Sequence, residues 1–394
     1  MSGVSARARG LVCPPFDVLN QRAAALRAEG KNVISLGQAV PGFPAPPAAV
    51  EAARLALTDP DAHRYSADAG ILSLREALCQ SFKSHLRIDA APDDVIVTAG
   101  GNQAFMLAAM VAVDPGDEVV LAAPYFVNHE MAVRAVGATP VEAAVDESAG
   151  FSARWADIEP HLTGRTRAVV LCTPSNPTGA VIGAGELRRI VTELASRRIA
   201  LVCDETYLHF VFDGGHHSAA SIPGWRENVI VVGTFSKSFA MTGWRVGYLL
   251  ADRRICEQAL KIQDAMIICA PVISQLAVEA AIRDNWNYIH AFNQELRTRR
   301  STLASALADI PSLHWTPTGG GFFAFVRIAG AADSERLARD ILERAHVVTI
   351  PGAAFGRSGE GFLRLSYGAA GVDDLTEACG RLKRFFARTG LKPE

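Results

Sequence analysis

The segment Thr234-Phe235-Ser236-Lys237-Ser238-Phe239-Ala240-Met241-Thr242-Gly243-Trp244-Arg245-Val246-Gly247-Tyr248 sets one lysine between small hydroxyl residues, directly after the apolar run Val229 to Val232. An arginine follows eight residues later, at the edge of a second apolar run. A lone lysine after a hydrophobic strand is ordinarily a solvated loop residue. Here the hydroxyl, glycine and aromatic neighbours bring an amine, an anion site and a flat ring together. That combination suits an aldehyde held as a Schiff base beside a phosphate.

Outward from this segment, short apolar runs alternate with helical stretches. Asp94 to Thr98, Glu118 to Ala122, Ala168 to Cys172, Ala200 to Cys203, Asn228 to Val232 and Val246 to Leu250 read as strands. Asn102 to Val113 and Gly185 to Ser196 read as helices. Near-continuous apolar strands with helical connections predict a largely parallel α/β sheet. Arg253 to Cys269 and a long region over 272–308 read as helical. The last hundred residues change character. A glycine turn, Gly319-Gly320-Gly321, feeds the aromatic strand Phe322 to Phe325. Helix Ser334 to Arg344, strands Val347 to Ile350 and Gly361 to Ser366, and an amphipathic helix Asp373 to Thr389 follow. This predicts a smaller α+β domain completed by N-terminal segments.

The bulk numbers fit such an arrangement. The chain has 394 residues, 49% of them hydrophobic, enough for a large core and two domains. Its 39 basic and 41 acidic side chains give a net charge of -2 and no general attraction to nucleic acid, although a local basic patch stays open. The seven cysteines are scattered without a CxxC pair, so buried thiols are expected rather than a metal cluster, in a reducing, cytoplasmic setting. No apolar signal core follows Met1 to Arg9, and no uninterrupted apolar run has membrane-spanning length.

Chemistry-bearing residues collect at the C-terminal ends of the expected strands, where open parallel sheets bind ligands. Gly100-Gly101-Asn102 lies where a strand gives way to a helix, and amides there can hold a phosphate. A plain tight turn is an equal reading. In Cys172-Thr173-Pro174-Ser175-Asn176-Pro177-Thr178-Gly179, two prolines stiffen the backbone around Asn176, as a donor to a phenolate or simply as a rigid turn. Asp204 ends a strand where it can pair with a protonated ring nitrogen, and Tyr207 can reach the same ring; a solvated turn acid is the alternative. Together these pieces ask for a planar cationic ring with a phosphate and a reactive carbonyl.

At this point the chain resembles the class I and II aminotransferases of the pyridoxal-phosphate-dependent fold-type I superfamily. The resemblance runs from Val33 to Phe386 and rests on Asn-Pro-Thr-Gly at 176–179, Asp204 with Tyr207, and Ser236-Lys237 with Arg245, in the family's order and approximate spacing. It implies a fold-type I transferase with a large, mostly parallel-sheet α/β/α domain over 46–290. A small α+β domain would come from 1–45 and 291–394. The implied cofactor is pyridoxal 5'-phosphate. By resemblance, Lys237 is the Schiff-base lysine and proton carrier, and Asp204 pairs with the ring nitrogen. Asn176 and Tyr207 contact the phenolic oxygen, and Phe126 stacks on the ring. Gly101, Asn102, Thr234, Ser236 and Arg245 form the phosphate cup. Tyr65 reaches the phosphate from a neighbouring subunit, which implies a homodimer with composite sites. Arg364 grips the substrate α-carboxylate through its guanidinium fork.

The family often carries a glycine before a Glu-Pro-Asp run near the N-terminus; the corresponding position here is Ala39. Its methyl either crowds the substrate or is a harmless variation. The implied reaction is ping-pong transamination between an L-amino acid and a 2-oxo acid. No second arginine for a distal carboxylate stands out, and Arg9 and Arg64 are unplaced. Phe16, Phe43, Tyr125 and Phe126 either favour bulky substrates or are core residues. Aspartate or a broad range is the preferred expectation, with aromatic amino acids, methionine, kynurenine and basic amino acids open. β-Elimination, decarboxylation or oxidation on the same scaffold is the alternative chemistry. A cofactor-binding regulatory module is a third reading, and no added DNA-binding domain is recognisable.

Overall fold

The computed structural model describes residues 3–284 and 287–389. In chain order the strands are β1 (Ile34–Ser35), β2 (Val95–Thr98), β3 (Glu118–Ala123), β4 (Thr139–Ala144), β5 (Thr166–Cys172), β6 (Ala200–Asp204), β7 (Val229–Thr234) and β8 (Gly247–Leu250). They continue with β9 (Leu313–His314), β10 (Phe323–Ile328), β11 (Val347–Val348), β12 (Ile350–Pro351) and β13 (Phe362–Ser366). A seven-stranded sheet has the order β2-β8-β7-β6-β5-β3-β4. Only β8 runs against its neighbours, so the other six strands share one direction.

The central strands are apolar at successive positions because both faces are covered. Val229 and Val231 of β7 join one core cluster, with Leu187, Ile190, Val191 and Leu194 of the helix Ala184–Ser196. Those four helical positions recur at intervals of three and four, which lines one face. Ile230 and Val232 join the opposite cluster, with Phe105 and Ala108 of the helix Gly101–Ala112. The sheet is therefore a filled layer between helices.

A second, antiparallel sheet has the order β12-β13-β10-β9. Helices Ser334–Ala345 and Val372–Thr389 bury Leu337, Ile341, Leu375 and Leu382 in its cluster. The N-terminal segment packs on this part of the molecule. Leu19, Ala23 and Leu26 of the helix Phe16–Ala28 meet Phe325, Phe355 and Phe362. Strand β1 pairs in parallel with β11. Gly37 follows at a close approach, since a Cβ there would stand 2.8 Å from Val348 Cγ1.

Three details differ from expectation. The helical region 272–308 is two helices, Val272–Arg283 and Asn287–Ala308, with Asp284 extended after the first; residues 285 and 286 lie outside the described residues. The expected strand Val347 to Ile350 divides between β11, which pairs with β1, and β12, which pairs with β13. Strand β4 is additional to the expected set: it sits at the sheet edge and is only partly buried, so its sequence lacks the apolar run that marks the inner strands.

Candidate active site

The parallel strands end along one edge of the large sheet. Asp204 is the last residue of β6 and Thr234 the last of β7. Because β8 is antiparallel, its beginning falls at that same edge, and this brings Arg245 beside Thr234 and Ser236. A cavity of about 450 Å³ opens there. Gly101, Asn102, Phe126, Asn176, Asp204 and Tyr207 line it, together with Thr234, Ser236, Lys237, Arg245, Ala39 and Arg364. Every expected site residue is thus brought to one cavity except Tyr65, which is 77% exposed and outside it on this chain.

At one end of the cavity, Gly100 precedes the helix Gly101–Ala112 with φ +86, and a Cβ there would collide with the Arg245 guanidinium. The opening turn of that helix leaves amide donors unused by the helix itself. Thr234 caps the short helix Phe235–Ser238, accepting from Ser236 N at 3.2 Å and donating to Val246 O at 3.0 Å. Arg245 Nη1 donates to Thr242 O at 2.7 Å, and its guanidinium has no carboxylate partner among the described residues. Gly100 thus makes room for the Arg245 guanidinium, and that uncompensated cation, with the amides and hydroxyls around it, forms an anion cradle.

In the middle of the cavity Asp204 is buried. Burial by itself would raise its pKa, but hydrogen bonds from His129 Nε2 at 2.9 Å and Thr206 N at 2.9 Å outweigh it and hold the carboxyl below the ordinary range. The neighbouring Glu205 points into a closed structural network, accepting from His216, Ser218 and the Ala219 amide. Adjacent carboxylates therefore face opposite surroundings, and only Asp204 opens on the cavity. His129 carries no mark in the sequence pattern above. It sits among polar residues of the helix Val127–Ala135, yet it is buried, stacked on Phe105 at 4.2 Å and edge-on to Phe126. Its spacing of three residues from Phe126, on a helix entering the site, is the signal that could have marked it.

At the other end, Arg364 projects from β13 and is only 2% exposed. It donates to Asn176 Oδ1 at 2.8 Å and to the Gly37 carbonyl, while its Nε has no partner and no carboxylate pairs with it among the described residues. Burial pushes its pKa down to about 10. Rings of Phe16, Phe323 and Phe355 surround the guanidinium at 5.0–5.4 Å. Lys237 Nζ donates to the Ala39 carbonyl at 2.6 Å. Burial, then the charges of Arg364 and Arg245, lower its pKa to about 8. Burial raises the Tyr207 phenol well above its ordinary value, although the Arg364 charge opposes this.

Ala39 contributes its carbonyl to Lys237 and packs against the small-sheet cluster. Phe16 and Phe126 line the cavity, but Phe43 packs on Phe292 at 4.2 Å and Tyr125 lies away from it. The helix Phe16–Ala28 also brings Asp17 and Asn20 to the cavity, two residues that no motif in the sequence points to. The cysteines are free thiols, and the described residues hold no group of side chains suited to a metal. Among the described residues no helix is long and apolar enough to cross a membrane.

An anion cradle, a buried acid held below its ordinary pKa and a low-pKa amine in one cavity suit one class: an enzyme that works through a phosphorylated aldehyde on a basic ring. Comparison with known proteins gives the family. The sequence pattern described as aminotransferase class I and II matches residues 31–382. The putative aminotransferase YugH of Bacillus subtilis is 35% identical over 92% of this chain and 94% of its own length. Aromatic-amino-acid aminotransferase 2 of Thermococcus litoralis is 35% identical over 90% of this chain and 92% of its own. The structure of aspartate aminotransferase from Thermus thermophilus with maleate superimposes with a TM-score of 0.91 at 31% identity, covering 98% of this chain and all of the other. The chain belongs to the class I and II aminotransferases. Its fold is fold-type I, its reaction is amino transfer, and its cofactor is pyridoxal 5'-phosphate. The uncompensated Arg245, seated where Gly100 makes room for its guanidinium, fits the phosphate of that group, and Lys237 and Asp204 fit its aldehyde and ring nitrogen.

Proposed function

We propose that this chain transfers the amino group of a broad range of L-amino acids, aspartate and aromatic amino acids among them, to a 2-oxo acid in a ping-pong reaction. The observation that carries the reading is Arg364, a buried guanidinium without a carboxylate partner among the described residues, on the same cavity as Lys237. An amino acid or a 2-oxo acid brings the missing carboxylate, which the planar fork binds bidentately. The names of similar proteins, for aromatic amino acids in one case and aspartate in another, support both substrate kinds. The lysine and arginines lining the cavity are Lys237, Arg245 and Arg364, and each already has a task. With none of them reserved for a second substrate carboxylate, breadth is favoured over an acidic-only range.

In this reading Gly101, Asn102, Thr234, Ser236 and Arg245 hold the cofactor phosphate. Asp204 would pair with the ring nitrogen, Asn176 and Tyr207 would hold the phenolic oxygen, and Phe126 would face the ring. Lys237 would be the amine that holds the cofactor's aldehyde. When bound, pyridoxal phosphate supplies an electron sink that makes the substrate Cα proton removable. Arg364 fixes the carboxylate and thereby the direction of the Cα–H bond. Lys237 Nζ accepts that proton and later returns it. A pKa near 8 leaves part of the amine unprotonated at neutral pH, as a general base requires. His129 and Thr206 keep Asp204 ionised, so it favours a protonated ring nitrogen.

The reading extends to a homodimer in which the exposed Tyr65 reaches the partner's cofactor phosphate, to a large domain over 46–290 with a small domain from 1–45 and 291–394, and to a cytoplasmic setting that suits free thiols. The test is a half-reaction screen of the cofactor-loaded protein against the common L-amino acids. Loss of the aldehyde absorbance with acidic and aromatic amino acids, reversed by a 2-oxo acid, is expected. Response to one amino acid alone would overturn the breadth, and ammonia release without an acceptor would overturn amino transfer.

A further inference from the structure

We propose a second ligand site, sharing no lining residue with the cavity, that binds a compact phosphate-bearing anion of two or more negative charges. The helices Ser334–Ala345 and Val372–Thr389 converge on a depression of about 240 Å³. Arg344, His346, Arg381, Arg384, Phe385 and Arg388 line it. Four guanidiniums and an imidazole thus share one small space in a chain whose net charge is -2.

The surrounding carboxylates do not balance them. Glu377 serves two of the arginines, at 2.8 Å from Arg381 and 3.6 Å from Arg384. Glu343, next to Arg344 in sequence, is engaged by Arg22 at 2.6 Å. Arg344 lies over the Phe385 ring at 5.2 Å, and neither Arg344 nor Arg388 has a carboxylate partner among the described residues. A cation in the last turn of a helix is favoured by the helix dipole, which accounts for Arg344 and Arg388 one at a time. It does not account for two helices directing cations into one depression, where like charges repel. An anion between them reverses the sign of that interaction. Guanidinium forks match phosphate oxygens bidentately, and several forks around a small space favour clustered charge over a single carboxylate.

The floor of the site is held in place, while Arg344, Arg384 and Arg388 are exposed to an incoming ligand. Arg381 Nη1 donates to Asn32 O at 2.6 Å, and Ile34 N donates to His346 O at 3.0 Å. Phe385, buried, supplies a firm wall.

The experiment uses the holoenzyme, in which the cofactor's own phosphate fills the Arg245 cradle. Inorganic pyrophosphate is titrated calorimetrically at matched ionic strength, with chloride as the control and a nucleoside diphosphate as a second ligand. Saturable binding of one pyrophosphate per chain is expected. It should weaken at least about tenfold in Arg344→Ala/Arg388→Ala and in Arg384→Glu, the loss that removing charged hydrogen bonds brings. The cofactor spectrum and amino transfer should be unchanged in both variants. Equal affinity for the two ligands identifies free polyphosphate as sufficient; tighter nucleoside diphosphate binding identifies an organic phosphate. Heat no greater than that of chloride, or undiminished binding by the variants, would overturn the proposal.

Discussion

Asp204 and Arg364 are both buried charges on one cavity, and their surroundings differ. Asp204, at the end of the large sheet, accepts from His129 and Thr206 and stays ionised without a ligand. Arg364, on the small sheet, has an amide oxygen, a backbone carbonyl, three aromatic faces and a bare Nε. A buried charge lacking a counter-charge is costly, and the cost persists until something supplies one. Asp204 is therefore satisfied by the protein's own donors. Arg364 is left short of a counter-charge among the described residues, which is what the proposed substrate carboxylate would supply.

The largest expected effect removes the group between the two sides. Lys237→Ala should lower kcat/KM by about 10³-fold or more, as loss of a positioned general base does, without unfolding the protein. Arg364→Leu tests the contrast directly. The kcat/KM for amino acids should fall about 10²- to 10³-fold, while the melting temperature of the cofactor-free protein holds or rises because an unpaired buried charge has gone. A clear drop in melting temperature would show that Arg364 serves the fold, and the contrast would break.

Proton linkage gives a third effect. Lys237 has a folded pKa of about 8 against an ordinary 10.5. Below pH 8 it is charged in both states, and folding carries the cost of burying the charge. Between about pH 8 and 10.5 the unfolded chain binds the extra proton, so stability rises with pH. In the cofactor-free protein, Lys237→Met should be more stable than the parent below pH 8 by up to about 3 kcal/mol, with the gap closing above pH 10 in denaturant titrations.

His129→Phe should sharpen the other half. Losing the hydrogen bond to Asp204 lets that pKa climb, and kcat should fall about tenfold with a shifted pH profile, the size expected of one charged hydrogen bond. The depressed Asp204 pKa contributes stability above about pH 4 that is lost on acidification, so the variant should lose its stability deficit in acid. Tyr65→Phe should be the mildest: in the proposed homodimer it would remove one hydrogen bond to the partner's cofactor and weaken cofactor retention about tenfold or less. No change in retention would remove Tyr65 from the composite site.

Much of the fold, and the gathering of the expected residues at one cavity, was legible in the sequence because the inner strands are buried on both faces and end at that cavity. Val229 to Val232 announces a strand, and the residues just beyond it fall at the ligand-binding edge of a parallel sheet. Legibility fails where burial is one-sided or comes from afar. Strand β4 lies at an edge and carries no apolar run. His129 looks like a solvated helix residue until Phe105 covers it. The helix Phe16–Ala28 has a weak apolar stripe, and its approach to the cavity depends on the distant Phe325 and Phe355. The direction of β8, which delivers Arg245, is a property of the whole sheet.

Lys237 and Arg364 rest on the carbonyls of Ala39 and Gly37, two oxygens of one short backbone run. No codon change deletes a main-chain oxygen. Gly37 is closed to drift, since Val348 leaves no room for a side chain, but the lettering at Ala39 can change while its oxygen stays. The resting posts of the two cations are thus shielded from mutation in a way that no side-chain acceptor could be. The side chain at position 39 can therefore vary over generations while the oxygen that receives the Lys237 amine stays in place.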